Sequence, residues 1–271
     1  MAGLKAPVKD EWLDAVLCRP IGRQIARFLG KHTSLSANQV TFFTGMVGVS
    51  AGICYAFPWP APLYGAALFF SAMVFDCVDG ELSRFRNSGG WQGRIIDGLA
   101  DGATVFSIFL GMVIYLGRLK LRVLGVELGF WHWFVLFIPA AATFVWHSAV
   151  VDDVKQRLKQ GSIDKSLDKF ADDPKTPFEK MIYRSWVNYV AWLERSTGPG
   201  RPGGYLCFRR VQWFGPTHHH LLMVIAALFI AVFPAAYVGY WFIAIVPANL
   251  YMVSMLYCSR SSCRMQSTKS A

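Results

Sequence analysis

The sequence predicts an all-α integral membrane fold, six transmembrane helices preceded by an interfacial amphipathic helix. Three observations predict it. Of the 271 residues, 54% are hydrophobic and only 16% charged, with a mean hydropathy of +0.34, whereas soluble domains carry about a quarter charged residues. The apolar residues gather into runs near the length of about 20 that a helix needs to cross hydrocarbon. Finally, the runs do not alternate. A transmembrane barrel would show alternating segments of about 10 residues, and a spanning chain must satisfy its own backbone hydrogen bonds, so strands are not expected.

Residues 1–35 read as a cytoplasmic or interfacial segment. The opening MAGLKAPVKDEWLD lacks the basic and apolar regions of a cleaved leader. Over 11–29, Trp12, Val16, Ile25 and Leu29 alternate with Arg19, Arg23 and Arg27 at helical spacing, the pattern of a helix lying in the headgroup plane. Pro20 is expected to kink it or split it in two. Six spans follow, at about 38–57, 62–84, 93–117, 128–151, 217–233 and 237–258, with Phe233-Pro234 as the turn between the last two.

Together 36–258 form one membrane domain, interrupted by a polar cytoplasmic insertion at 152–216. DDP and TGPGRPGG punctuate the insertion. Between them, 178–194 fits an amphipathic helix whose Trp186, Tyr189 and Trp192 suit a membrane interface. A tail, 259–271, closes the sequence. The six cysteines form no CxxC pair, which indicates neither a zinc site nor a disulfide framework.

The net charge of +10 would point a soluble protein toward nucleic acid. Here the bases flank apolar segments, so anionic lipid and substrate phosphates are the expected partners, and nucleic acid is not. Bases crowd the N-terminal stretch, the loop between spans two and three, the insertion and the tail. The positive-inside rule then puts both termini in the cytoplasm. Arg118, Lys120 and Arg122, between spans three and four, run against that rule.

The chemistry lies in DCVDGELSRFRNSGGWQGRIIDGLAD, from Asp76 to Asp101. Asp76 and Asp79 are three apart and Asp97 and Asp101 four apart, so each pair shares a helix face. The intervening Asn87, Ser88, Gly89 and Gly90 reverse the chain and bring the pairs face to face near one membrane surface. Four like charges in a low dielectric are unstable alone, and divalent cations relieve them. Hard oxygen ligands select Mg²⁺, Mn²⁺ or Ca²⁺ over zinc, and two such ions about 3.5–4 Å apart serve displacement at phosphorus. Gly80 leaves backbone open to a phosphate, Arg84 on the same face can pair with one, and Gly93 and Gly98 allow close helix contact.

This segment resembles the CDP-alcohol phosphotransferase pattern D-x2-D-G-x2-A-R-x8-G-x3-D-x3-D. Asp76, Asp79, Gly80, Arg84, Gly93, Asp97 and Asp101 fall at its positions, with Ser83 in place of Ala. The motif covers about a tenth of the chain; the helix count extends the similarity to most of it. The resemblance implies two divalent ions, Mg²⁺ or Mn²⁺, held by the four aspartates and gripping the diphosphate of a CDP-linked donor. It implies Asp101 as the base that activates the acceptor hydroxyl, Gly80 and Arg84 near the nucleotide and phosphate, and CMP as the leaving group.

SANQVT, Ser36 to Thr41, is similar to the T-P-N-x-x-T stretch at this point in the family, with Ala37 for Pro. That places Asn38 and Thr41 against the cytidine, beside their plain reading as a helix start. The Gly80-Glu81 pair is similar to the branch handling inositol phosphates and leans the reading to an inositol-type or other polar headgroup in phospholipid biosynthesis. The expected acceptor is a small alcohol or a lipid. Dimers are common in the family, so a homodimer is among the expected assemblies. His218, His219 and His220 open the fifth span, where interfacial or headgroup contacts are expected, and His147, Asp152 and Asp153 end the fourth. The competing function is a membrane cation transporter using the acidic cluster, since acidic residues in spans often mark ion paths. Clustering at one face, with Arg84 and Arg94 alongside, argues against it.

Overall fold

The structure, a computed structural model, describes residues 11–88, 91–160, 176–197 and 212–255. Lys5, Lys9, the tail and Cys207, Cys258 and Cys263 lie outside these, as does most of the loop sequence in the insertion. Helix dominates the described residues. A π-helical turn, Asp14–Cys18, runs into α1 (Arg19–His32). The expected break at Pro20 is absorbed there: the wide turn ends with the Arg19 N–H donating to the Asp14 carbonyl, five residues back, and Pro20 then stands in the first turn of α1. Then follow α2 (Ala37–Tyr55), α3 (Ala61–Arg86), α4 (Trp91–Leu119) and α5 (Phe130–Gln160). After them come α6 (Pro177–Thr197), α7 (Pro216–Phe229) and α8 (Ala236–Met255), the last with a π turn at Pro247.

Four of these helices are long and apolar enough to cross a membrane: α3, α4 from Ile95, α5 as far as Asp152, and α8. This is an integral membrane protein. Helices α2 and α7 occupy the positions expected of the first and fifth spans but fall short of that standard. Glycine, serine and threonine dilute α2, and the 14 residues of α7 rise only about 21 Å. The outer surface suits lipid. Phe42, Phe106, Trp131, Val135, Phe242 and Leu250 are all more than half exposed, which is tolerable in hydrocarbon and costly in water.

One strand pair breaks the all-helical expectation. β1 (Arg122–Val123) and β2 (Val126–Glu127) form a hairpin between α4 and α5. Leu124 and Gly125 take φ of 51° and 84°, the left-handed pair that a two-residue hairpin turn needs. Leucine at the first position carries none of the usual turn signal.

Packing is closest between α2 and α4. A Cβ on Gly48 would lie 2.1 Å from Thr104 Oγ1, and one on Gly111 would lie 2.2 Å from the Gly52 carbonyl oxygen. Small residues thus let the two backbones touch, and Ser107 Oγ donates to the Val49 carbonyl across the seam. The core below holds Tyr55, Phe69, Phe109, Met112, Met223 and Tyr237. Tyr55 stacks on Tyr237 and donates to the Met223 carbonyl at 3.1 Å. Helix α1 lies along α3, with Gly22 against Cys77 and Gly30 against Phe85.

Candidate functional site

Asp76 sits ten residues before the end of α3 and Asp101 ten residues after the start of α4. Each is therefore about 15 Å along its helix from the bend that joins them. Asn87 makes that bend possible at the α3 C-terminus by taking the left-handed conformation, φ 51°. The antiparallel pair brings Asp76, Asp97 and Asp101 together: one carboxylate oxygen from each lies within 4.8 Å of the others. None of these three takes part in an ion pair between described side chains. An all-carboxylate set so close, with no cationic side chain paired to it among the described residues, fits a hard divalent ion.

Asp79 stands apart from this trio. It is 7% exposed, and its carboxylate accepts a hydrogen bond from Thr41 Oγ1 at 2.6 Å. Helix α2 is thereby tied to the acidic pair on α3. The N-terminus of α2 is a full capping box: Gln39 N–H donates to Ser36 Oγ at 3.2 Å and Ser36 N–H to Gln39 Oε1 at 2.8 Å. The helix-start reading of SANQVT therefore holds, and the packing of α2 sets Thr41 beside Asp79. Asn38 faces α4, its Oδ1 lying 3.2 Å from where a Gly93 Cβ would be.

Gly80 and Arg84 lie on one helix face. The Arg84 guanidinium folds back to 3.7 Å from the position of a Gly80 Cβ. It pairs with Glu81 at 3.1 Å, and Glu81 also gathers Arg23 at 3.2 Å and Arg19 at 3.7 Å from α1. The result is a cluster of three guanidiniums around one carboxylate near the acidic hairpin. Gly98 differs from expectation. No heavy atom lies within 4 Å of its would-be Cβ, so it is not a helix contact.

Sequence reasoning missed several partnerships that only the fold creates. Glu81 looked like half of a subfamily signature, yet it organises α1 against α3. Arg86 looked like a topological base, yet its guanidinium donates to the Thr33 carbonyl at 2.7 Å and to the carbonyls of Leu29 and Leu35, closing the end of α1. The three histidines were expected at the interface, but His218 and His219 are buried. His218 pairs with Glu11, which also accepts from the Thr217 N–H at the start of α7. His219 joins His147 at 3.0 Å and Tyr240 at 3.3 Å, and Asn249 links His147 to Thr143. His220 is wedged between Phe69 and Phe144. Consecutive helix positions point different ways, which explains the three separate fates.

Two membrane helices that close acidic pairs on one another, with arginines alongside, define a membrane-embedded carboxylate centre. The model of the CDP-alcohol phosphatidyltransferase family matches residues 34–171, half of the chain and all four aspartates, and the protein belongs to that family. Membership implies transfer of a phospho-alcohol group from a CDP-alcohol, and so a transferase of phosphate-containing groups. No curated protein and no solved structure matches the chain.

Proposed function

We propose that this protein is a metal-dependent transferase that moves a phospho-alcohol group from a CDP-activated donor to a hydroxyl, releasing CMP on the cytoplasmic side of the membrane. The observation that carries the reading is the convergence of Asp76, Asp97 and Asp101 inside the family-matched helices. These three, with Asp79, would hold Mg²⁺ or Mn²⁺, two ions by the family pattern. The bound metal supplies charge neutralisation on the diphosphate and on the departing CMP.

The protein's own residues supply the rest. Thr41 fixes Asp79 by the short hydrogen bond. Gly80 presents bare backbone, and Arg84 offers a guanidinium to a phosphate oxygen. Asn38 and Gly93 border the nucleotide end. Asp101, the most exposed of the three converging carboxylates, takes the proton of the acceptor hydroxyl. The acceptor oxygen bonds to the phosphorus bearing the alcohol, the P–O bond to CMP breaks, and CMP leaves with the bridging oxygen. The Gly80-Glu81 pair supports an inositol-type or other polar headgroup and a place in phospholipid biosynthesis.

The test is CMP release by purified protein in detergent, given CDP-alcohols with and without Mn²⁺ or Mg²⁺. Release should need metal, and Asp97→Asn and Asp101→Asn should each lower it by about 100-fold or more. Turnover that survives both substitutions would sink the assignment.

A further inference from the structure

The Arg84 guanidinium lies across the Gly80 backbone. Its Nη2 and Nη1 atoms are 3.7 and 3.8 Å from where a Gly80 Cβ would be. A phosphate drawn to that backbone and to Arg84 at once therefore needs the guanidinium to swing aside. What holds it in place is Glu81, three residues earlier on α3, at 3.1 Å.

Glu81 is shared by more than Arg84. Arg84 Nη2, Arg23 Nε and Arg19 Nη1 all converge on one carboxylate oxygen, Oε1, at 3.1, 3.2 and 3.7 Å. One negative charge thus faces three positive ones, two of them from α1. The Arg84 and Arg23 side chains are 59% and 55% exposed, those of Arg19 and Glu81 only 21% and 18%. An ion pair as open to water as that of Arg84 is weak. A phosphate offers the same guanidinium a pair of oxygens in the matching geometry. The difficulty is the carboxylate left behind. Set back from water and uncompensated, it would hold Arg84 and repel an incoming phosphate. Arg19 and Arg23 remove that difficulty, because both stay on Glu81 when Arg84 departs.

We infer that Glu81, Arg19 and Arg23 form a counter-ion exchange for Arg84: the diphosphate of the CDP-linked donor takes Arg84 from Glu81, and the two arginines of α1 keep Glu81 neutralised. The inference rests on the transferase reading and deepens it. Only ion pairs change partner; no covalent bond is made or broken. Glu81, Arg19 and Arg23 are positioning residues that act through Arg84, so α1 serves the donor site without touching the donor.

The test uses the full-length protein in detergent with Mn²⁺. It reads CDP binding by equilibrium dialysis, beside the KM and kcat of CMP release. Arg19→Gln together with Arg23→Gln should weaken CDP binding and raise the donor KM by about 10-fold, with kcat nearly unchanged. Adding Glu81→Gln to that pair should restore both to within about twofold of wild type. A mere tether of α1 to α3 predicts the opposite, since the triple variant has lost all three of these ion pairs. A triple variant no better than the double one would overturn the exchange. Glu81→Gln alone keeps the side chain's size and should bind CDP as tightly as the wild type or more tightly. Weaker binding by that variant overturns the inference too, and it decides the matter if the double variant does not fold. Arg84→Gln should weaken CDP binding with or without Glu81; no effect would remove Arg84, and the exchange with it. CDP binding that follows this order, with no CMP release from any CDP-alcohol, sinks the reaction and leaves the exchange standing. Metal-dependent CMP release, with CDP binding indifferent to all these substitutions, keeps the reaction and sinks the exchange.

Discussion

Thr41 joins α2 to the acidic hairpin through one hydrogen bond. Its hydroxyl has one proton and two candidate acceptors, the Asp79 carboxylate at 2.6 Å and the Ala37 carbonyl at 3.1 Å. The shorter, charge-assisted bond is the stronger. It helps to orient a carboxylate that the proposed function assigns to a metal. Thr41→Val keeps the shape and removes the bond. The Mn²⁺ concentration for half-maximal CMP release should then rise about 10- to 100-fold, the usual cost of losing such an outer partner. Thr41→Ser should restore it. An unchanged metal requirement in Thr41→Val would show that Asp79 is held some other way. The convergence of Asp76, Asp97 and Asp101 could be anticipated from the sequence, because spacings of three and four put each aspartate pair on one helix face. The partner of Asp79 could not, since Thr41 stands 38 residues away and only the packing of α2 on α3 brings it there. The grip of Glu81 on Arg19 and Arg23 was hidden for the same reason.

At the scale of elements, the seam between α2 and α4 holds the acidic hairpin in place. Helix contact in a membrane gains little from the hydrophobic effect, so it depends on how closely the surfaces fit. Gly111 meets the Gly52 carbonyl, a backbone atom that cannot rotate away. Gly111→Ala must therefore push the helices apart and should cost about 1–3 kcal/mol, read as a lower melting temperature in detergent. Gly239→Ala in α8, where a Cβ would meet nothing within 4 Å, should leave the melting temperature unchanged or raise it. Equal effects of the two would remove the seam from the account. The helices at all six expected positions could be read from apolar runs and turn residues, and the helix of the insertion from its amphipathic pattern. The hairpin at Arg122–Glu127 could not, because Leu124 adopts a left-handed conformation without the usual Asn or Gly.

For the whole molecule, orientation decides which compartment supplies the nucleotide donor. The end of the bundle where α3 meets α4 carries Arg19, Arg23, Arg27, Lys31, Arg84 and Arg86, against Arg118, Lys120 and Arg122 at the opposite end. By the positive-inside rule we expect the richer end in the cytoplasm. The three bases at the other end have structural work that accounts for their presence. Arg118 donates to the Ala56 carbonyl at 2.7 Å, beyond the end of α2, and lies over the Phe57 ring, while Lys120 and Arg122 both reach Glu127. Two reporters flank α4, which is by itself long enough to span. Leu124 is fully exposed at the hairpin tip, and Ser88 is exposed in the bend after α3. With the native cysteines replaced, Leu124→Cys should react with a membrane-impermeant maleimide on intact cells, and Ser88→Cys only after permeabilisation. The reverse pattern would turn the carboxylate centre to the outside, where no cytoplasmic CDP-alcohol could reach it. Labelling of both positions on intact cells would mean that α4 does not cross the bilayer.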